Sequence, residues 1–487
     1  MARARYKHLV DQFATDIRSG TLVPGTRLPT HRQLAAEQGI ALVTASRVYA
    51  ELEAMGLVSG ETGRGTFVRE TELPAGHGID QTSTKEGMLD LNFNSPALPE
   101  QAELLRQGLR QLASSGDIEA LLHYQPHGGR KHERAIVARH LEQRGLKVNG
   151  EQVLLVNGAQ HGLACTVMSL LKPGDVVAVD ALIYPGFKIL AAAQSLQLAP
   201  ISISQQVSDS THQTLASSQQ IIADTHQTLA SSQQIIADTQ QTSVSVGPDL
   251  DALEQLCQTR PVRAVYAMPT LHNPLAWVMT LAQRKRLIAI ARRHNLIIIE
   301  DAAYAFLAEN PPPPLAALAP DITVYISGLS KSVATGFRMG FIAAPSSWIA
   351  QLERSIRATI WNTPALVTAL ACQWIEDGTV DRLEMEKRTD ARQRQEIAKE
   401  AFQEFVTIGH PTSYFIWLPL PEEVRADQVV MALMQQNISV SSAEPFATTE
   451  HIPHAIRLAL GSIERDKLQD ALKLVRQTID TYAYGVV

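Results

Sequence analysis

Apolar positions recur along this chain in two rhythms. Over residues 6–17, Leu9, Val10, Phe13 and Ile17 return at spacings of three and four, which predicts a helix with one buried face. Gly20 and Pro24-Gly25 interrupt it. After Leu28-Pro29, Thr30 is a good N-cap for a short helix over residues 31–38, which Gly39 ends. A second helix follows at once, with Ala45, Val48, Leu52 and Met55 on one side and Thr44, Ser46, Arg47 and Glu51 on others. Leu57-Val58 and Thr66-Phe67-Val68 predict strands on either side of a hairpin tip at residues 60–65. From Leu89 onward the rhythm changes to short unbroken apolar runs at residues 153–156, 176–179, 264–267, 297–299 and 324–326, separated by helical patterns such as 281–294. Runs of this kind are strands buried on both faces, so an α/β fold with a mainly parallel sheet and helices on both sides is expected.

The change of rhythm sets the domain boundaries. Two or three units are expected in 487 residues. Residues 1–70 form an N-terminal module of two short helices joined by a glycine turn and closed by a hairpin, the geometry of a winged helix-turn-helix whose second helix enters the major groove. Residues 71–88, rich in Glu, Thr, Gly and Ser, read as a linker, and 89–487 as the large unit. Within it, 205–243 is an insertion. Residues 211–224 are repeated without change as 225–238, and a third copy starts at Thr239. Two full copies are too few for a solenoid, and their Ser, Gln and Thr content points to a duplicated surface insertion, partly helical or poorly ordered, with a partner-binding coiled coil as the alternative.

Charge sharpens the division. The whole chain carries −6, which argues against a protein given over entirely to nucleic acid, yet residues 1–70 hold nine Lys/Arg against seven Asp/Glu. Cys165, Cys257 and Cys372 lie far apart without metal-ligand spacing, so no metal site is expected and a reducing cytosol suits them. No long uncharged apolar run offers a membrane span, and no secretory leader pattern opens the chain. A cytoplasmic protein is expected.

The candidate chemistry gathers at the ends of the predicted strands, where ligands of parallel sheets collect. Lys331 stands just beyond a buried run, framed by Ser330 and Ser332, where partial burial would lower its amine pKa as a Schiff-base lysine requires. Arg338 could hold an anionic phosphate. Residues 157–162 (Asn-Gly-Ala-Gln-His-Gly) lead from a strand into a helix and offer an anion cradle through Gly158, Ala159 and Gln160. Tyr184 is suited to stacking on a flat heterocycle. Asn273 offers an amide to a phenolic oxygen, and Asp301 and Tyr304 place a carboxylate and a phenol after another strand.

Two resemblances follow from these residues. Residues 24–68, with Leu28-Pro29-Thr30-His31-Arg32, Leu34-Ala35, Val48-Tyr49, Gly56-Leu57-Val58 and Gly63-Arg64-Gly65-Thr66-Phe67-Val68, resemble the winged helix-turn-helix of the GntR family of bacterial regulators. The resemblance implies that Arg27, Thr30, Arg32, Thr44, Ser46, Arg47, Gly63, Arg64, Gly65 and Thr66 approach double-stranded DNA. Leu42 stands where many relatives have a polar or basic residue at the start of the recognition helix.

Residues 89–480 resemble the fold-type I aminotransferases that bind pyridoxal 5′-phosphate. That resemblance implies a small C-terminal α/β subdomain at about 365–487 and gives each site residue a role. Lys331 would form the Schiff base, and Asp301 would keep the ring nitrogen protonated. Asn273 and Tyr304 would bond the ring oxygen, and Tyr184 would stack on the ring. Gly158, Ala159, Gln160, Ser330 and Arg338 would bind phosphate. Tyr124 would reach the phosphate of a neighbouring subunit, which implies a homodimer, and Arg457 would grip a substrate or effector carboxylate. Two departures stand out: Gly328 where relatives often carry Ser or Thr, so that one phosphate hydroxyl is either missing or supplied by Ser327 or Ser330, and Ala276 where glycine is usual after Asn-Pro-x. The combination resembles the MocR subfamily of transcriptional regulators. It implies a DNA-binding regulator whose large unit responds to pyridoxal phosphate, an amino compound, or both. An active aminotransferase with a DNA-binding appendage and a sensor of the vitamin alone are the alternatives.

Overall fold

The computed structural model describes residues 2–18, 21–22, 26–55, 57–61, 65–68, 88–96, 98, 100–114, 118–207, 244–421, 424–450 and 452–484. Gly63, Arg64, nearly all of the expected linker and the whole 211–242 repeat lie outside them.

The N-terminal module consists of helices α1 (Ala2–Arg18), α2 (His31–Gln38) and α3 (Leu42–Ala54) and the antiparallel strands β1 (Val58–Glu61) and β2 (Gly65–Val68). Val10, Ala45, Val48, Leu52 and Val58 are its innermost residues. Thr30 caps α2 reciprocally: the Gln33 N–H donates to Thr30 Oγ1 (3.3 Å) and the Thr30 N–H to Gln33 Oε1 (2.8 Å). The hairpin is longer than its sequence suggests, because β1 continues through Gly60 and Glu61.

The large sheet has seven strands: β4 (Val153–Val156), β5 (Val176–Asp180), β6 (Gln197–Ile201), β9 (Val262–Ala267), β10 (Ile297–Asp301), β11 (Thr323–Gly328) and β12 (Gly340–Ala343). Their order is β4-β12-β11-β10-β9-β5-β6. Every expected strand is present, and β4, β5 and β10 are buried along their whole length. Pairing is parallel except at β12, which runs against both neighbours. The connection over residues 329–339 is too short to cross over the sheet, so the chain folds back beside β11. Those returning residues carry Lys331 and Arg338.

Between β6 and the remainder, β7 (Ile203–Val207) and β8 (Val244–Pro248) form a two-stranded hairpin at the base of the insertion. A second sheet holds β13 (Ile408–Gly409), β14 (Phe415–Pro419), β16 (Ala455–Ala459), β15 (Ile438–Ser442) and, at its edge, β3 (Leu89–Leu91). β3 opens the large unit in sequence yet pairs in parallel with β15 near the C-terminus. It thereby delivers residues 92–94 to the junction between the two sheets. Among the described residues, no helix is long and apolar enough to cross a membrane.

Candidate functional site

A cavity of about 150 Å³ opens where the two sheets meet. Ten of the expected residues line it: Ala159, Gln160, Tyr184, Asn273, Asp301, Tyr304, Ser330, Lys331, Arg338 and Arg457. They arrive from the carboxyl ends of β4, β5, β9, β10 and β11, from the return toward β12, and from the middle of β16.

Lys331 is half-buried. Its Nζ donates to the Asn94 carbonyl oxygen at 2.7 Å and lies 5.8 Å from the centre of the Tyr304 ring. Asp301 ends β10 with almost no solvent contact. Its carboxylate accepts from the Tyr266 hydroxyl (2.9 Å) and the Ala303 N–H (3.1 Å). Burial raises the Asp301 pKa, while these two donors and nearby His272 act the other way. The site therefore holds a buried carboxylate that a cationic partner would stabilise.

At the opposite end, Gly158 leads from β4 into the helix Ala159–Leu170 with φ +81°. A Cβ there would lie 2.8 Å from Arg338 Nη2, so only glycine lets the guanidinium approach. Arg338 reaches Ser330 Oγ (3.4 Å) and the Asn157 carbonyl (3.3 Å). Gly328 has a similar cause. It pairs with Gly340, and a Cβ on it would come within 2.8 Å of the Met339 oxygen, so the side chain found in relatives has no room. Ser327 turns away to the Ala302 carbonyl (3.2 Å), so of these two serines Ser330 is the one that lines the cavity. Ala276 takes φ +54°, a left-handed conformation that costs a non-glycine residue on the order of 1 kcal/mol.

Tyr184 forms the wall beside Gln160. Burial pushes its hydroxyl up to about 12. Gln160 Nε2 donates to the Gly186 carbonyl (2.9 Å), while its Oε1 is buried without a partner. Arg457 is buried between Phe415 and Phe446, 5.8 and 5.1 Å from their ring centres. It donates to Asn273 Oδ1 (3.1 Å) and to the Asn92 carbonyl, and its Nε has no partner. Asn94 Nδ2 is likewise unpaired. Buried donors and acceptors left open around one cavity are what a polar ligand would satisfy.

Tyr124 is outside this group. It is 85% exposed, beside Trp361 at 5.7 Å between ring centres. Several lining residues carry no signal in the sequence: Asn92, Phe93 and Asn94 after β3, Ser441 near the end of β15, and Pro445 and Phe446 after it. Tyr266 was legible only as part of an apolar run; it stacks on Phe187 (3.9 Å) and orients Asp301.

On the N-terminal module, Arg27 and Arg32 are exposed. Arg47 lies over the Tyr6 ring at 4.6 Å, Ser46 contacts His31 Nδ1 at 3.1 Å, and Thr30 spends its hydroxyl on the α2 cap. Thr44 and Thr66 are half-buried, and Gly65 lies against Arg27. Leu42 and Val43 leave an apolar start to α3, Val43 being 80% exposed. The module touches the large unit through Arg425, which is 3% exposed. Arg425 Nε donates to Glu51 of α3 (3.1 Å), and its Nη1 pairs with Asp11 of α1 and meets His454 Nε2 (2.9 Å).

The fold and this arrangement define a protein of the aminotransferase class: residues 86–475 match the family model for aminotransferase class I and II, and the chain belongs to that family. Residues 5–68 match the bacterial regulatory proteins of the gntR family, so a DNA-binding module precedes the aminotransferase-like one. The full chain is similar to the HTH-type transcriptional regulator YdeF of Bacillus subtilis, 26% identical over 477 residues that cover 98% of this chain and 94% of that protein. It is also similar to the 2-aminoadipate transaminase of Thermus thermophilus, 23% identical over 78% of this chain and 86% of that one. Among solved structures, the α-aminoadipate aminotransferase of Thermus thermophilus with N-(5′-phosphopyridoxyl)-L-leucine superposes with a TM-score of 0.67 at 20% identity, covering 90% of this chain and 100% of that one.

Proposed function

We propose that this protein is a transcriptional regulator that binds double-stranded DNA through its N-terminal module and holds pyridoxal 5′-phosphate in the inter-sheet cavity. There it senses the cofactor, an amino compound, or both. The reading is carried by one observation: Lys331, Asp301 and Arg338 converge on a single cavity in a chain that also bears a gntR-type module.

When bound, the cofactor supplies an aldehyde for an amine and a ring that accepts electrons. Lys331 offers the amine, and its contact with the Asn94 carbonyl aims it into the cavity. Asp301, oriented by Tyr266, would hold a proton on the ring nitrogen. Asn273 and Tyr304 would bond the ring oxygen, and Tyr184 would cover one ring face and exclude water. Gly158, Ala159, Gln160, Ser330 and Arg338 form the phosphate end. Arg457, with an open Nε, would take an effector carboxylate. Tyr124, exposed on one subunit, would reach the cavity of a second copy in a homodimer.

The end of β15 and the residues that follow it give these events a route to DNA. Ser441, Pro445 and Phe446 line the cavity. Ser442, Ala443 and Glu444 line a cleft shared with Asp11, Ala14 and Met55 of the N-terminal module. A ligand that shifts this segment changes the seat of the DNA-binding helices, provided it binds the two arrangements with different affinities.

The test is footprinting on the promoter next to the gene, with and without pyridoxal phosphate and a panel of amino acids. Protection that responds to neither ligand sinks the sensing half. The complete set of Lys331, Asp301 and Arg457 also favours a second reading, an active aminotransferase, which requires turnover of an amino donor with a keto-acid acceptor.

A further inference from the structure

One buried cation has no part in the function proposed above. Lys387, on the helix Thr379–Ala401, has no solvent exposure. Its Nζ donates to the carbonyl oxygens of Lys331 (3.0 Å) and Val333 (2.7 Å). Both belong to the turn that carries the reactive amine, a turn closed by the Val333 N–H on the Leu329 oxygen (2.8 Å) and steadied by Gln101 Nε2 on the Val333 oxygen (2.6 Å).

Carbonyls satisfy the hydrogens of an ammonium group without neutralising its charge. The nearby acids are committed elsewhere. Glu384 pairs with Arg144. Asp390 accepts from Arg394 Nε (2.7 Å) and the Tyr414 hydroxyl (3.0 Å), and that hydroxyl also meets the Lys387 carbonyl at 3.0 Å. From the turn, the main-chain oxygen of Lys331 faces Lys387, while the Lys331 amine is on the Asn94 carbonyl. Burial first, and the charge of Lys331 second, push the Lys387 amine down to about 7, against smaller opposing pulls from Asp390 and Glu384.

We propose that Lys387 is a positioning residue for Lys331: its Nζ, tied to the carbonyl oxygens of Lys331 and Val333, fixes the backbone under the reactive amine. The proposal rests on the cofactor reading above.

The test uses the full chain as wild type, Lys387→Arg, Lys387→Gln and Lys387→Met. Gln, one atom shorter, cannot span the two carbonyls as lysine does and carries the experiment if Met does not fold. Each protein is mixed with pyridoxal phosphate at one pH, and the growth of the visible band is followed. Its rate should fall about tenfold or more in Gln and Met, since an ångström of misplacement is enough for an effect of that order, and recover in Arg. In cofactor-free protein, amide exchange over residues 329–333 should speed up in the same two variants, because the turn loses its tie. Unchanged rates in folded Lys387→Gln overturn the proposal and leave the cofactor reading standing. A wild type that develops no visible band overturns that reading instead, and the exchange measurement still decides the role of Lys387.

Discussion

The amine of Lys331 rests 2.7 Å from the main-chain oxygen of Asn94, a residue that β3 brings in from the other sheet. The Lys331 amine is thus held across the junction of the two sheets. Lys331→Ala should abolish the visible band that pyridoxal phosphate gives with the wild type. The single hydrogen bond lost is worth ~1 kcal/mol, so the thermal midpoint should shift by only a few degrees. A band that survives the substitution assigns the aldehyde to another amine.

Tyr266 and Asp301 set the pH behaviour of the cavity. Asp301 is pushed up by burial and pulled back by the Tyr266 hydroxyl. The carboxylate is the form that would bind a protonated ring nitrogen, so cofactor affinity should fall as pH drops through its titration. Tyr266→Phe removes a lowering contact and should move that fall to higher pH. It should also cost ~1.5–3 kcal/mol of cofactor affinity, about ten- to a hundredfold, by equilibrium dialysis. An unshifted profile would mean that Asp301 does not govern binding.

Lys387 gives a stability prediction of definite sign. Its folded pKa of about 7 lies below the ordinary 10.5. Between those values the unfolded chain holds a proton that the folded chain has released, so this residue makes stability rise with pH across the window and contributes no slope below it. Denaturant melts of the wild type from pH 7 to 10 should climb relative to Lys387→Gln. Parallel curves would place the proton elsewhere.

These relationships divide by how far apart their partners stand in the sequence. The strands of the large sheet were legible because a strand covered on both faces must be apolar throughout, as Ile297–Ile299 and Val153–Val156 are. Helix α2 was legible from both ends, since Thr30 and Gly39 are local signals. The turn at Gly158 from β4 into the next helix was legible for the same reason. The contact of Lys331 with Asn94 was not, because a carbonyl oxygen leaves no trace in residue identity. Nor was the pairing of β3 with β15, which joins the two ends of the large unit. Arg425 reads locally as a solvated residue in a polar turn, and only the fold reveals that it is buried against Glu51.

Arg457 should decide which amines are sensed. It is buried, holds Asn273 and Asn92, lines the cavity, and has a buried Nε without a partner. Losing a paired, charge-assisted contact costs ~1.5–3 kcal/mol, so Arg457→Lys should weaken α-amino acids about ten- to a hundredfold in spectral titrations of the loaded protein. Amines without a carboxylate should bind as before. Equal losses for both classes would make Arg457 a structural residue.

Arg27 and Arg32 stand exposed on the N-terminal module. If each neutralises one phosphate, Arg32→Ala should reduce the slope of log affinity against log salt by about 0.9, and the double substitution by about twice that. Footprints should weaken evenly across sequences. A loss confined to one operator position would instead indicate base reading.

Arg425 ties the DNA-binding helices to the large unit and lines the same cleft as Ser442, Ala443 and Glu444. Its guanidinium is buried while its acids come from α1 and α3, so Arg425→Ala leaves Glu51 without this counter-charge. Breaking a buried ion pair costs ~3–5 kcal/mol, and about half that is reasonable here because Asp11 is well exposed. Amide exchange in α1 and α3 should speed up accordingly. Ligand binding in the cavity and the intrinsic contacts to DNA should survive, because Arg425 belongs to neither. What should shrink is the factor by which ligand alters DNA affinity, since coupling between two sites lasts only while an element is biased by both. Full ligand dependence in folded Arg425→Ala would place the coupling on another route, such as a contact between subunits.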